Sequence, residues 1–498
     1  MRTWRNLVGG VGGSAWSAIV GLAVVPVYFR VLGVEAYGLV GFFVALQAVF
    51  QVLDMGMAPT ISREVARCDA TGELADARNL LRTLAVFYWL AAVLICIVVV
   101  ASASYLGTDW LNAATVPQDE VTRSIALMGV AIAIRFPVGL YIGAMQGAQR
   151  VAEASALNAI MTTLGALGAV AVIVFGSPTT TAFFGWQAVV ALVHVLAVRW
   201  AAWRYMGGAR LSRFDPDWLR RVGVFAVSMS VVSVLGVVFA QLDKLVLSRS
   251  VELAELGLYT LAGFPARSLA ILAAPVFTVI YARLSAMIAV DDTSGVVDLY
   301  RNGTRLFLAF LLPLAVFVGV FAESIIGLWT GDFEIAARVA PVAALLILGS
   351  ALNGTMLFPF ALQLANGNSR IPMIITVVLI IGFVPLLIWL VANFGILGAA
   401  GAWFLLNAAY VPFGTWMTHR SMLKGHGVNW LVADVGLPLL VAVVIVGGGG
   451  IVIREMIDTP LVQIALGSLA LPLAFVLTAA MSPSMLPAQA RRYVRQLF

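Results

Sequence analysis

The chain consists largely of apolar stretches of about 20 residues, separated by short polar segments. An α-helix of about 20 apolar residues spans the roughly 30 Å hydrocarbon layer of a membrane. The sequence predicts about fourteen such helices and therefore an all-α, polytopic membrane fold. The predicted spans lie near residues 7–29, 37–60, 83–107, 122–147, 154–176, 182–203, 222–247, 256–281, 305–329, 336–364, 371–393, 397–418, 430–453 and 460–481.

Composition supports lipid as the solvent of this chain. Only 11% of its residues are charged and its mean hydropathy is +1.00. In a water-soluble protein, about a quarter of the residues are charged. The two cysteines, Cys68 and Cys96, predict no disulfide framework. The apolar run after Arg2 and Arg5 lacks a clear cleavage site, so we expect a retained first helix rather than a signal peptide.

The positions of the basic residues predict the orientation. With the N-terminus in the cytoplasm, 22 of the 30 arginines and lysines fall on the cytoplasmic side, five outside and three within spans. Cytoplasmic loops carry such an excess of Lys and Arg. We therefore predict a protein of the inner (plasma) membrane with both termini in the cytoplasm. The outside residues are Arg30, Arg123, Arg249, Arg338 and Arg454, and those within spans are Arg135, Lys244 and Arg267.

The sequence argues against an enzyme. Its outside loops are too short for a catalytic domain, and it contains no P-loop, HExxH or dinucleotide-binding signature. We expect neither a metal nor a cofactor. Four consecutive glycines, 447–450, lie in the thirteenth span, where small residues favour helix contact or local flexibility over phosphate binding.

An internal repeat predicts the domain organisation. When the chain is shifted by 219 residues, Arg30 falls on Arg249 and Gly38 on Gly257. Similar offsets align Arg150 with Arg370. We predict two pseudo-symmetric six-helix lobes, 1–212 and 213–428, with the substrate between them. Residues 429–498 add a C-terminal helix pair and a cytoplasmic tail, and the basic segment 210–221 joins the lobes along the inner membrane surface.

Several segments carry a resemblance to a known family. QLDKLVLSRSVELAELGLYTLAG (241–263), YARLSAM (281–287), FRVLGVEAYGL (29–39), LDMGMAPTISREVAR (53–67) and FALQLANGNSRIP (360–372) resemble polysaccharide-type flippases. These belong to the multidrug/oligosaccharidyl-lipid/polysaccharide exporter superfamily. The resemblance implies alternating access and export of an undecaprenyl-diphosphate-linked oligosaccharide for cell-surface polysaccharide biosynthesis. The commonest members have twelve helices, and in its fourteen predicted helices this chain resembles the lipid II flippase branch.

Charged residues inside the spans are the candidate site. A charge near the bilayer centre costs a few kcal/mol, so it needs a function or a partner. Arg135 and Arg267 lie about 12 and 11 residues into their spans, close to the middle of the membrane. A guanidinium binds phosphate oxygens through a two-pronged fork, so both are predicted to bind the diphosphate. The alternative is that each holds helices together through a carboxylate or a helix carbonyl.

A second group of charges is predicted nearer the membrane surfaces. Arg30, Lys244 and Arg249 are placed at the outer mouth, where they would receive the head group, although interfacial anchors have the same pattern. Asp54 is a candidate for ion coupling or a fixed partner of an arginine, and Asp243 for ion coupling or support of Lys244 or Arg249. His194, the only histidine we place within a span, is interpreted as a packing residue in preference to a proton relay.

The leading hypothesis is a flippase for a lipid-linked oligosaccharide, which would act with membrane lipid and other polysaccharide-assembly proteins and not with nucleic acid. A lipid II flippase is the nearest alternative. A cation-coupled multidrug antiporter would favour acids, whereas these spans hold three basic residues and two acidic ones. A scaffold that transports nothing would gain nothing from arginines in mid-membrane.

Overall fold

The computed structural model describes residues 2–54, 56–208, 212–218, 236, 241–368 and 370–480, and this part of the chain is almost entirely helical. The helices are α1 (Arg2–Leu32), α2 (Val34–Gln51), α3 (Met57–Thr71), α4 (Leu74–Tyr105), α5 (Gln118–Arg135), α6 (Val138–Gly147), α7 (Val151–Ala171), α8 (Thr180–Tyr205), α9 (241–250), α10 (Leu253–Ala289), α11 (Thr293–Val320), α12 (Ala322–Thr330), α13 (Phe333–Thr355), α14 (Leu357–Ala365), α15 (Arg370–Ser421), α16 (Gly427–Met456) and α17 (Pro460–Ala480).

The predicted fold class is confirmed. Within the described residues, 11 helical segments are long and apolar enough to span a membrane. One of them, α15, covers the predicted eleventh and twelfth spans and breaks at Gly395, where φ is +55°. The first predicted span lies in α1, and most of the seventh, 222–247, lies outside the described residues. The total of about fourteen spans stays a prediction.

Two predicted spans are interrupted near charged residues. The second ends earlier than predicted, because Gly56 adopts left-handed φ and ψ between a short 3₁₀ turn (Val52–Asp54) and α3. The fourth breaks between α5 and α6 at Phe136 and Pro137, directly after Arg135. Proline cannot donate a backbone hydrogen bond, so it ends the regular helix there.

The contacts divide the chain into two units, Met1–Gly257 and Leu258–Phe498. Each unit has its own apolar core, around Leu80, Tyr88 and Tyr141 in the first and around Leu308, Phe321 and Phe358 in the second. The predicted lobes 1–212 and 213–428 and the extra segment 429–498 stay predictions, and residues 481–498 lie outside the described part.

The linker between the predicted lobes is attached to α4 where the structure describes it. The Asn79 Oδ1 accepts a hydrogen bond from the backbone N–H of Arg213 at 2.8 Å, and the Thr83 hydroxyl accepts one from that of Asp215 at 2.9 Å. Trp218 is buried in the core of the first unit. Residues 212–218 are therefore a packed part of that unit.

The second unit includes the C-terminal helices α16 and α17, which pack on α11 and α12. Glycines allow the close approach: a β-carbon at Gly450 would lie 2.9 Å from Val320 Cγ1, and one at Gly467 only 2.3 Å from a ring carbon of Phe321. Gly447 and Gly450 belong to the four consecutive glycines, so the structure shows the helix contact that the sequence predicted for them.

Polar contacts fasten both ends of this helix pair. Arg454 donates to the Glu323 carboxylate at 2.8 Å and to the carbonyl of Val320 at 3.0 Å. At the other end, the Asp434 carboxylate is fully buried and binds two arginines of α11. Arg301 donates to it at 2.7 Å through Nε, and Arg305 makes a short second contact. The pair is thus held to the second unit by charge as well as by apolar packing.

Candidate functional site

Arg135 is the most distinctive of the predicted site residues. It ends α5, and its side chain is partly buried. Its Nε is buried without a hydrogen-bond partner, and the described residues offer the rest of the guanidinium no hydrogen bond or ion pair. The alternative role, a structural arginine bound to a carboxylate or a carbonyl, is therefore not found in the described part of the chain. No residue that the structure describes neutralises its charge.

His194 lies close to this arginine, on α8. Its side chain is only 6% exposed, and its Nε2 is a second buried nitrogen without a partner. The charge of Arg135 is near enough to act on the imidazole. Sequence reasoning interpreted His194 as a packing residue and missed this neighbour, because the proximity depends on how α5 and α8 pack.

Arg267, in the second unit, is exposed on α10. Its guanidinium carbon lies 5.9 Å from the ring centroid of Phe264, at the outer limit of a cation–π contact. Phe264 in turn packs edge-on against Trp329. Arg135 and Arg267 thus belong to different units, and the binding of the diphosphate by both stays a prediction.

The residues predicted for the outer mouth differ in their surroundings. Arg30 is exposed near the end of α1. Arg249 is exposed at the end of α9, where it donates to the carbonyl of Asp109 at 2.7 Å and lies 5.1 Å from the ring centroid of Trp110. These contacts are those of an anchored surface arginine, and they leave the substrate role untested.

Lys244 and Asp243 form an adjacent pair on α9. Lys244 is 8% exposed, and its Nζ lies 3.5 Å from the Asp243 carboxylate and 3.1 Å from the Gln241 side-chain oxygen that accepts its hydrogen bond. The predicted support of Lys244 by Asp243 is present in the structure. Whether Asp243 couples an ion or Lys244 contacts substrate stays a prediction.

Asp54 is bonded by a phenol and a backbone amide. Its carboxylate accepts a short hydrogen bond from the Tyr88 hydroxyl and a longer one, 3.4 Å, from the backbone N–H of Ala58. No arginine pairs with it among the described residues. The Tyr88 ring packs 5.1 Å from that of Phe136, so Asp54 connects to the helix break beside Arg135. Its predicted role in ion coupling stays a prediction.

Glu35 is a structural carboxylate that sequence reasoning did not single out. It is buried near the start of α2 and accepts backbone N–H bonds from Ala114 at 2.5 Å and Thr115 at 2.7 Å. Asp434 was missed in the same way. In both cases the signal was an acid next to or within an apolar span, which needs a partner.

Comparison with known proteins identifies the family of this chain. The profile of a family described as polysaccharide biosynthesis protein matches residues 4–288, more than half of the chain. The chain belongs to this polysaccharide biosynthesis protein family. A protein of Shigella flexneri named as a candidate O-antigen transporter is 22% identical over 411 residues, which are 80% of this chain and 93% of that protein. The resemblance to polysaccharide-type flippases is confirmed.

Solved structures show the same fold. The lipid II flippase MurJ in an inward closed conformation matches with a TM-score of 0.67 at 13% identity, over 94% of this chain and 97% of that one. An inward-facing multidrug resistance MATE family transporter of the MOP superfamily has a TM-score of 0.67 at 12% identity, over 82% and 96%. This polysaccharide biosynthesis family member is therefore a multi-pass membrane protein with a transporter fold.

Proposed function

We propose that this protein flips a polyprenyl-diphosphate-linked oligosaccharide from the cytoplasmic to the outer leaflet of the inner membrane by alternating access. The main support for this proposal is the environment of Arg135, whose partly buried guanidinium near mid-span has no partner among the described residues. An unpaired charge at that depth is costly unless a ligand neutralises it. The diphosphate of the cargo carries negative charge and would neutralise Arg135 at a depth where free anions in water do not reach.

The family supports this cargo. The Shigella flexneri relative is named as a candidate transporter of O-antigen, which is a polysaccharide. The arginine bias supports cytoplasmic termini, and therefore an outward direction for a precursor made in the cytoplasm. Arg267, Arg30, Arg249 and Lys244 are proposed as further contacts along the path, and Asp54 and Asp243 as ion-coupling candidates.

Reconstitution tests the function directly. Proteoliposomes carry a fluorescent, short-chain lipid-linked oligosaccharide, and a membrane-impermeant glycosidase added outside measures how much of it reaches the outer leaflet. We expect wild type to expose cargo faster than protein-free liposomes, and Arg135→Gln to lose most of this activity while it inserts normally. Equal rates with wild type and without protein would refute the proposal.

Substitutions of Arg267 test whether the second unit contacts the cargo. Lysine keeps the charge and loses the planar fork, so Arg267→Lys should retain part of the flipping rate and Arg267→Ala should lose it. Binding of the lipid-linked oligosaccharide at rising salt separates a ligand contact from a structural role, because salt weakens an exposed electrostatic contact. Equal affinity and equal salt dependence in wild type and Arg267→Ala would remove Arg267 from the site.

Lipid II flipping is the second candidate, since it uses the same kind of lipid carrier. The observation that favours it is the C-terminal pair, α16 and α17, which is docked on the second unit and lies beyond the usual twelve spans. Competition discriminates the two: unlabelled lipid II and unlabelled lipid-linked oligosaccharide are compared as inhibitors of flipping. Inhibition by lipid II at lower concentration would favour the second candidate.

A further inference from the structure

The helices α5 and α8 place Arg135 and His194 on facing sides at similar depth. Near their N-terminal ends the two helices are joined by a hydrogen bond of 2.8 Å between the hydroxyls of Ser124 and Thr180. Arg135 follows Ser124 by 11 residues and His194 follows Thr180 by 14. At about 100° per residue, each returns to within roughly 40° of the face that makes this bond. The axial rises are about 17 Å and about 21 Å, so the two residues lie within about one helical turn of each other in depth.

The surroundings of the two side chains offer them no partner. Arg135 Nε and His194 Nε2 are both buried and unbonded, and in the described part of the chain neither side chain makes a hydrogen bond or an ion pair. Their neighbours along the helices are apolar and buried, namely Met128, Ala131, Ile132, Val190, Ala191 and Val195. The Arg135 N–H is an unsatisfied donor in such a setting and strongly favours an added acceptor, and the imidazole of His194 can offer a second N–H through Nε2.

We propose that Arg135 and His194 together form an anion site within the first unit and that its ligand is a phosphate group. A guanidinium offers a fork of N–H groups, and the imidazole adds another N–H from the second helix. A phosphate directs several oxygens in different directions and can therefore accept hydrogen bonds from both helices at once. The inference rests on the proposed function and deepens it, because it assigns His194 a contact with the cargo's diphosphate.

Binding to the purified, full-length protein in detergent tests the site. Isothermal titration calorimetry uses three probes: farnesyl diphosphate, inorganic pyrophosphate and farnesol. We expect farnesyl diphosphate and pyrophosphate to bind wild type, and farnesol to bind far more weakly. Arg135→Gln and His194→Phe should each weaken binding of both diphosphates by about tenfold or more, the effect of one lost charge-assisted hydrogen bond.

Two matched controls keep the comparison specific. Arg123→Gln makes the same change on the same helix at an exposed residue three turns away. His419→Phe replaces another buried histidine with an unbonded Nε2, which lies on α15 in the second unit. Both variants should bind the diphosphates as wild type does.

Stability without ligand separates a binding residue from a structural one. Arg135→Met removes a charge that has no partner, so the thermal midpoint of the ligand-free protein should rise, and the further rise caused by farnesyl diphosphate should disappear. Arg123→Met should change neither. A lower midpoint for Arg135→Met with unchanged diphosphate affinity would assign Arg135 to the scaffold and overturn the site.

The remaining outcomes distinguish the site from the function. Wild-type affinity for farnesyl diphosphate in both Arg135→Gln and His194→Phe would overturn the site and leave the proposed function standing. Binding of pyrophosphate that both variants lose, without binding of farnesyl diphosphate, would support the site and reject the lipid-linked cargo. Failure of wild type to bind either diphosphate would overturn the site, and the flipping assay would then decide the function alone.

Discussion

At the scale of single residues, isolated charges in apolar spans carry most of the information in this sequence. The depth of Arg135 could be predicted by counting from the span ends, but its lack of a partner could not, because that depends on the packing of α5 against α8. Asp434 shows the opposite case. It lies in an apolar span and is fully buried, yet two arginines neutralise it. The same sequence pattern therefore produces a candidate site at one residue and a structural cluster at another.

Replacement of Asp434 by asparagine should destabilise the second unit. Asp434→Asn leaves Arg301 and Arg305 facing each other without their shared carboxylate, and breaking a buried ion pair costs about 3–5 kcal/mol. Because both arginines are partly exposed, we expect the lower end, about 3 kcal/mol. Tryptophan fluorescence during chemical unfolding in detergent measures the loss. Asp458→Asn, an exposed residue between α16 and α17, is the control. Equal unfolding free energies would contradict a stabilising role.

At the scale of helices, the boundaries that sequence predicted well are those set by apolar length. The predicted spans 154–176, 182–203 and 460–481 agree with observed segments to within a few residues. The second span differs, since the left-handed conformation of Gly56 and the hydrogen bonds of Asp54 divide it. Hydropathy does not register such a turn. The sequence could predict that glycines 447–450 would contact another helix. It could not predict which helix they would contact.

Gly38 and Gly257 form a close helix contact in the first unit, where α2 meets the start of α10. A β-carbon at position 38 would lie 2.1 Å from the carbonyl oxygen of Leu253, and one at position 257 would lie 2.3 Å from that of Val34. The self-comparison aligned these two glycines, and the structure brings them together; the repeat itself stays a prediction.

Each of these glycines should tolerate no side chain. Gly38→Ala and Gly257→Ala force a β-carbon against the backbone of the facing segment, and rotation of a side chain cannot relieve this clash, so each should lower stability by about 1–3 kcal/mol. Thermal unfolding in detergent provides the measurement. Gly12→Ala, where a β-carbon meets nothing within 4 Å, is the control and should be neutral or slightly stabilising. Unchanged midpoints for both core variants would show that α2 and α10 are not in contact.

At the scale of the whole molecule, the family and the apolar helices agree on a multi-pass membrane protein, but its orientation rests on the arginine bias of the sequence alone. Cysteine labelling tests it with little background. Cys68 is fully buried, and burial raises the pKa of its thiol, so little thiolate is present at neutral pH. Cys96 lies in the apolar part of α4, away from water-soluble reagents. Wild-type protein should therefore remain almost unlabelled by an impermeant maleimide.

Added cysteines then report each side of the membrane. Ala114→Cys and Ser177→Cys lie at exposed positions in loops predicted to be outside, and Arg213→Cys at an exposed position in the linker predicted to be cytoplasmic. In intact spheroplasts the first two should react within minutes. The third should react only after permeabilisation, because its predicted position is on the cytoplasmic side. The side chain of residue 213 is exposed while its backbone is bonded to α4, so the reagent can reach it once the membrane is open. Reaction at position 213 before permeabilisation, with none at 114 and 177, would invert the topology. The proposed outward direction of flipping would then have to be reversed as well.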